Sequence, residues 1–348
     1  MKVRKNKADG PEDGGGYQKR VSGTIKNLAE KIKAGDTPAL ARAITLMEST
    51  RPGDRELAHA LVEYCLPPEE PTMRIGITGA PGVGKSTFIE ALGSLLVKNG
   101  KKVAVLAVDP SSSLSKGSIM GDKTRMQELA NSPMAFIRPS PSAENLGGVT
   151  RSTRETIILC EAAGFNVILI ETVGVGQSET VVHSMVDFFL LLQLAGAGDE
   201  LQGIKRGIME MADAVVINKA DGSNRKTALE ARSAFANALQ LYPPKENGWK
   251  VAVLSCSSLE NKGVDEVWQL IEKYFETYIQ SSYLIEKRQE QNAYWFRQSV
   301  ESNLADDFYS HPIVKKQFPL FLDKVRRQEL SPFRAASLLM EAFRQELK

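Results

Sequence analysis

The chain has 348 residues, 42% of them hydrophobic and 25% charged, and a formal net charge of +2. That is the composition of a globular protein of two or three domains, and the near-neutral charge argues against a nucleic-acid partner. No run of 18 apolar residues occurs, so no membrane span is expected. Three scattered cysteines (Cys65, Cys160, Cys256) fit buried thiols in a reducing compartment, the cytoplasm by default.

Residues 1–16 have neither the apolar centre of a signal peptide nor the acid-poor composition of a transit peptide, and read as a disordered tail. Residues 17–70 read as a helical N-terminal extension. Thr37-Pro38 is a capping and first-turn pair for a helix with the apolar stripe Leu40, Ala43, Ile44 and Met47. A second helix starts at Asp54, runs through Leu57, Leu61 and Cys65, and stops at Pro67-Pro68.

The stretch Arg74–Thr87 opens the next region, 71–280. Ile75 and Ile77 alternate as in a strand, and Phe88 onward carries apolar residues at helical spacing. Between them lies Gly79-x4-Gly84-Lys85-Ser86, a phosphate-binding loop in the strand-to-helix setting that gives the pattern meaning. Downstream, Val103–Asp109, Val167–Glu171, Phe188–Leu192, Ala214–Asn218 and Val251–Ser255 are continuous apolar runs, which suit strands buried on both faces of a parallel sheet. Helical stretches at Ser152–Ala163, Lys226–Leu241 and Val264–Tyr278 separate them. The expected fold class is α/β, a three-layer P-loop NTPase with a mainly parallel sheet. Residues 281–348 are expected to be helical. Leu284–Phe308 forms a long arm with Phe296, Val300, Leu304 and Phe308 four residues apart, and Ser331-Pro332 starts the last helix. Such an arm serves as a dimer contact or folds back as a lid.

Chemistry is expected at the strand ends. Gly79, Ala80, Pro81, Gly82, Val83, Gly84, Lys85, Ser86 and Thr87 would wrap phosphates in backbone N–H groups. Lys85 would reach the β- and γ-phosphates, and the Ser86 hydroxyl would bind Mg²⁺. Asn218-Lys219-Ala220-Asp221 follows a strand 132 residues after Ser86. A carboxylate at Asp221 can accept from N1–H and the 2-amino group of guanine, a donor pair adenine lacks, so GTP and GDP are the expected ligands. Ser255-Cys256-Ser257 would support the base through backbone amides. Glu171 ends the strand beside the loop as a metal carboxylate, and the Gly174 amide could approach the γ-phosphate. Asp109 and Asp122 bracket a polar loop fit for a γ-phosphate switch. Val175 cannot orient a water, so charge must come from elsewhere. The glycine-rich loop 196–206, with Lys205 and Arg206, is one source; a solvated helix start is the plain alternative. His59, His183 and His311 are too dispersed for a metal cluster.

With these motifs in hand, the chain resembles the MeaB/ArgK family, GTPases that accompany adenosylcobalamin-dependent methylmalonyl-CoA mutase and include the human methylmalonic aciduria type A protein. The resemblance rests on Gly79–Thr87, Val108-Asp-Pro-Ser-Ser112, Gly121-Asp-Lys-Thr-Arg-Met126, Arg138-Pro-Ser-Pro141, Leu146-Gly-Gly-Val-Thr-Arg151, Glu171-Thr-Val-Gly-Val-Gly-Gln-Ser-Glu179 and Gly198-Asp-Glu-Leu-Gln-Gly-Ile-Lys205. It covers residues 20–345, departing at Lys116 and at Gln193-Leu-Ala. The resemblance implies a homodimer held by C-terminal helices. It also implies a chaperone that uses GTP to gate cobalamin loading of a mutase, and to protect or reactivate it. By position it gives Lys85, Ser86, Asp109, Asp122 and Glu171 to phosphate and Mg²⁺, Asp221 to guanine, and Lys205 with Arg125 to activation. No Asp-x-His-x-x-Gly is present, so no directly ligated cobalamin is expected.

Three other readings compete. A P-loop kinase or ATPase of amino-acid transport type is opposed by Asn218–Asp221. A nickel-delivery GTPase should bring a Cys/His cluster. A signal-recognition-type GTPase should bring a Met-rich apolar domain, and the ten methionines here are scattered.

Overall fold

A computed structural model describes residues 14–49, 51, 53–66, 72–108, 126–139, 146–172, 178–195 and 206–346. The first three helices are α1 (Gly14–Lys33), α2 (Thr37–Met47) and α3 (Asp54–Cys65). Helix α1 begins three residues inside the stretch expected to be a tail. The cap of α2 is Asp36, one residue before the expected Thr37. Its Oδ1 accepts from the Ala39 amide at 2.8 Å, which places Thr37 and Pro38 inside the first turn. A carboxylate is also the better partner for the positive end of the helix. Ile25, Ala29, Ile32, Leu40, Ile44, Leu61 and Cys65 are buried as a small core between the three helices.

The alternating region then runs β1 (Met73–Gly79), α4 (Lys85–Lys98), β2 (Val103–Val108), α5 (Gln127–Ala130), β3 (Ala135–Arg138), α6 (Leu146–Ala162), β4 (Val167–Thr172), α7 (Ser178–His183), β5 (Phe188–Leu194), α8 (Arg206–Met211), β6 (Ala214–Asn218), α9 (Arg225–Leu239), β7 (Ala252–Ser255) and α10 (Val264–Ile279). The strands form one parallel sheet in the order β3-β2-β4-β1-β5-β6-β7. Strand β1 is central. The chain leaves it to build β2 to β4 on one side, then β5 to β7 on the other, so every central strand ends at the same edge. Edge strand β3 has no counterpart among the expected strands, because its four residues show only one buried side chain.

The expected apolar runs are strands for the expected reason. β4, β5 and β6 are buried nearly throughout, because helices cover both faces. On one face Ile75, Ile77, Leu169 and Leu190 meet Phe88 and Leu92 of α4 and Val267, Trp268, Ile271 and Tyr274 of α10. On the other, Val215 and Ile217 meet Met209 of α8 and Phe235 of α9. Each such side chain contributes about 1.5–3 kcal/mol by leaving water. The N-terminal helices join this domain at its β3–α6 side. Glu48 grips Arg138 through both oxygens, and His59 contacts Arg151, which also pairs with Glu155 at 3.0 Å.

Helices α11 (Tyr283–Ser310), α12 (Pro312–Arg326) and α13 (Pro332–Glu346) follow. The chain divides into two compact units at Ile285/Glu286. In the second unit the Ser331 hydroxyl accepts from the Arg334 amide at 3.2 Å, the expected cap of α13. An apolar groove of about 340 Å³ lies there between Phe308, Tyr309, Phe318, Leu322, Leu339 and Met340. Along α11, Phe296 is 71% exposed and Leu304 64%. Among the described residues no helix is long and apolar enough to cross a membrane.

Candidate nucleotide-binding site

The carboxyl end of β1 turns directly into the phosphate loop. Gly79 adopts φ +150°, and a Cβ on it would lie 2.4 Å from the Leu192 carbonyl oxygen of the paired strand β5. Gly84 adopts φ +95°, and its Cβ would lie 2.8 Å from Asn218 Nδ2. Only glycine fits either position. Gly84 also caps α4 without a side-chain acceptor, so the first-turn amides of that helix have no capping side chain of their own. An N-terminus of this kind suits an anion. Lys85 is buried, and its Nζ donates to the Gly79 and Ala80 carbonyls at 2.9 and 3.3 Å, which keeps the ammonium over the loop.

Strand pairing sets the next component. Glu171 lies opposite Ile77 in the β1–β4 register and faces α4, and Ser86 donates to its Oε1 at 3.2 Å. A hydroxyl and a carboxylate from residues 85 apart thus meet at the loop. Behind them the Thr172 hydroxyl donates to that of Thr78 at 2.8 Å, both fully buried, and ties the end of β4 to β1.

Strand β6 delivers the second half. Asn218 is 1% exposed. Its Nδ2 donates to the Val83 carbonyl at 3.0 Å, and Lys219 Nζ donates to the Gly82 carbonyl at 2.7 Å. Lys219 holds φ +57°, an uncommon conformation for a side-chain-bearing residue and a common one at functional turns. The phosphate loop and the Asn218–Asp221 turn are therefore one hydrogen-bonded body.

The expected support from the amides of Cys256 and Ser257 is corrected by their partners. The Cys256 amide donates to the Ile217 carbonyl at 2.9 Å and the Ser257 amide to the Lys262 carbonyl at 2.8 Å, so both are spent inside the protein. Their neighbouring hydroxyls reach the Asn218–Asp221 turn. The Ser257 hydroxyl donates to Asp221 Oδ2 at 2.6 Å, and Ser258 donates from its hydroxyl to Asn218 Oδ1 at 2.7 Å. Ser255 is the last residue of β7, opposite Ile217. Burial pushes the Cys256 thiol up to about 12, against the pull of the Ser258 hydroxyl, so it stays protonated and faces Asn218 Oδ1 at 3.5 Å. Ser258 is the residue that sequence reasoning missed; a third small polar residue after β7 was its only signal. A cleft of about 630 Å³ opens beside it, lined by Thr87, Glu90, Ser94, Leu259 and Asp265 among others. Asp109, Asp122, Arg125, Gly174 and Lys205 lie outside the described residues.

A parallel α/β sheet with this loop after its central strand, joined to an Asn-Lys-x-Asp turn, defines a P-loop GTPase. Residues 40–312 match the family described as methylmalonyl Co-A mutase-associated GTPase MeaB, and the chain belongs to that family. It is 50% identical over 318 residues to a probable GTPase of Mycobacterium tuberculosis, covering 91% of this chain and 95% of that one. It is 45% identical to GTPase ArgK of Escherichia coli, over 89% of this chain and 93% of the other. With the mitochondrial methylmalonic aciduria type A homolog of Mus musculus it shares 46% identity, over 92% and 80% of the two chains. A crystal structure described as a LAO/AO transport system kinase superposes with a TM-score of 0.72 at 39% identity, covering 92% of this chain and 98% of that one. The protein binds guanine nucleotide and hydrolyses GTP.

Proposed function

We propose that this GTPase is a Mg²⁺-dependent chaperone of an adenosylcobalamin-dependent acyl-CoA mutase, methylmalonyl-CoA mutase first among them. In this role it gates cofactor loading and protects or reactivates the mutase. The observation that carries the reading is the match of residues 40–312 to a family described as mutase-associated. The relatives named for methylmalonic aciduria support it. The same reading places the protein in the cytoplasm as a homodimer, with the exposed apolar stripe of α11 as the contact.

In the site, the amides of Gly82 to Ser86 and the Lys85 ammonium would hold the β- and γ-phosphates. Lys85 would exchange its two carbonyl acceptors for phosphate oxygens. Ser86 and Glu171 are hard oxygen donors brought together from two elements, the donor type Mg²⁺ takes, and Asp109 and Asp122 would complete the set. Mg²⁺, when bound, would neutralise charge on the phosphates. Asp221 would accept from the guanine N1–H and 2-amino group. Water then attacks the γ-phosphorus in line with the bond to the β-phosphate oxygen, and GDP leaves. Lys205 and Arg125 are the cations assigned to activation, and Gly174 the amide at the γ-phosphate. No cobalamin ligand is assigned to this chain.

The test is GTP turnover with and without a purified cobalamin-dependent mutase. Stimulation, with co-elution of the two proteins, is the expected result; an unchanged rate and no complex would sink the coupling. The transport-kinase description of one relative's structure is the second reading. Tighter binding of ATP than GTP would favour it.

A further inference from the structure

Ser86, the hydroxyl assigned to Mg²⁺, sits in the first turn of α4, and Glu90 follows it four residues later on the same helical face, a rise of about 6 Å. From there Glu90 reaches across to α5. Its Oε1 accepts from the Glu128 amide at 2.8 Å and from the Leu129 amide at 3.1 Å. Helix α5 has no capping side chain of its own at Met126, so a carboxylate from another helix supplies the cap. Among the described residues Glu90 Oε2 has no hydrogen-bond partner, so the two α5 amides are all that this carboxylate binds there. One turn further along α4, Gly93 lets the two helices close, since a Cβ on it would lie 2.5 Å from Leu129 Cδ2. Met126 and Leu129, each 1% exposed, complete the joint in one core cluster with Phe88, Ile89 and Leu92.

We propose that Glu90 is a positioning residue for the metal site. By capping α5 it holds the chain at Met126, and so confines Asp122, four residues earlier, to the neighbourhood of Ser86. Glu90 acts through Asp122 and has no contact with the ion. This rests on the reading of Asp122 as a Mg²⁺ ligand.

Chain length makes the anchor matter. Upstream, β2 ends at Val108, 14 residues before Asp122, and that much chain spans up to about 50 Å. Such a tether places almost no limit on where a carboxylate can go. Downstream, only four residues separate Asp122 from Met126, a reach of at most about 14 Å. The confinement therefore comes from the α5 side. With α5 released, the next paired strand starts at Ala135, 13 residues after Asp122. The local concentration of a tethered group falls as roughly the −3/2 power of tether length, so lengthening the tether from four residues to 13 dilutes Asp122 at the metal by up to about sixfold.

The experiment measures single-turnover GTP cleavage by the full chain across a Mg²⁺ titration, for wild type, Glu90→Ala, Glu90→Gln, Asp122→Asn and the double variant Glu90→Ala/Asp122→Asn. Each rate constant belongs to nucleotide already bound, so it is independent of the folded fraction. Glu90→Ala is expected to raise the half-maximal Mg²⁺ concentration about two- to sixfold. Its Mg²⁺-free GDP affinity should stay within about twofold of wild type, because the bonds that shape the phosphate loop and the Asn218–Asp221 turn do not include Glu90. Glu90→Gln keeps an oxygen that can accept both amides and is expected to restore the wild-type titration. The double variant is expected to need no more Mg²⁺ than Asp122→Asn alone, since a group that acts only through Asp122 then has nothing left to place. Effects that multiply in the double variant, or a Mg²⁺ requirement unmoved by Glu90→Ala, would overturn the proposal and leave the reading of Asp122 intact. If Asp122→Asn itself leaves the Mg²⁺ requirement unchanged, that reading fails, and the proposal with it.

Discussion

Gly84→Ala separates the shape of the phosphate loop from the stability of the fold. The substitution adds a methyl group at φ +95°, a left-handed conformation costing a residue with a Cβ about 1–2 kcal/mol. The new Cβ would lie 2.8 Å from Asn218 Nδ2, the end of a side chain, with no backbone atom within 4 Å. Asn218 can swing aside by giving up its bond to the Val83 carbonyl, a further loss of about 0.5–1.5 kcal/mol. The loop then relaxes away from its phosphate-binding shape, and any nucleotide has to restore it. With both terms falling on binding, about 1.5–3.5 kcal/mol weakens GDP by roughly 10- to 400-fold, while the melting temperature moves little. Gly79→Ala should do the opposite. Its Cβ would meet the Leu192 carbonyl at 2.4 Å, within a paired strand that has nowhere to go, so the loss appears as poor folding. Calorimetric GDP titration beside a thermal melt reads both quantities. A folded Gly84→Ala protein that binds GDP within twofold of wild type would refute the reasoning.

Three further outcomes follow from named contacts. Ser86→Ala removes the hydroxyl beside Glu171 Oε1, and the Mg²⁺ concentration for half-maximal turnover should rise at least tenfold; an unchanged Mg²⁺ dependence would remove Ser86 from the metal set. Burial, then the nearby Arg151, lowers the pKa of His59 below 6.5, with Glu155 and Glu63 opposing and Arg55 reinforcing. The unfolded chain therefore binds the proton more readily, and the stability held by neutral His59 is present above about pH 6.5 and lost as pH falls toward the depressed folded value. His59→Gln should flatten the pH dependence of the urea midpoint between pH 7 and 5, and an unaltered slope would show that another group titrates there. Replacing exposed Phe296 and Leu304 on α11 with glutamate should convert the proposed dimer to monomer in sedimentation velocity, and unchanged sedimentation would move the interface elsewhere.

Local pattern carried the central strands, the phosphate loop and the Asn218–Asp221 turn, because each is written in consecutive residues whose conformational needs do not depend on distant neighbours. Apolar runs such as Val167–Ile170 can only be comfortable between two layers of helix. Glycines before Lys85-Ser86 can only be useful where a backbone must curl. Strand β3 was beyond that kind of reading, since one buried residue in four leaves no period to detect. The cap of α2 was misplaced by one residue for a similar reason. Asp36, Thr37 and Pro38 all suit a helix start, and only the bond from Ala39 chooses among them.

What the sequence determined alone, then, is the chemistry: which loop can wrap a phosphate, which carboxylate can meet a guanine, and that these sit at strand ends. The tertiary structure decided which groups are free to use that chemistry. It engages the Cys256 and Ser257 amides elsewhere and ties the Ser257 and Ser258 hydroxyls to Asp221 and Asn218. It sets Glu171 against Ser86, and it makes Asn218 a strut to Val83. The physical reason is that a hydrogen bond depends on distances of a few tenths of an ångström between groups 36 to 135 residues apart in the chain, and those distances exist only once the sheet has closed.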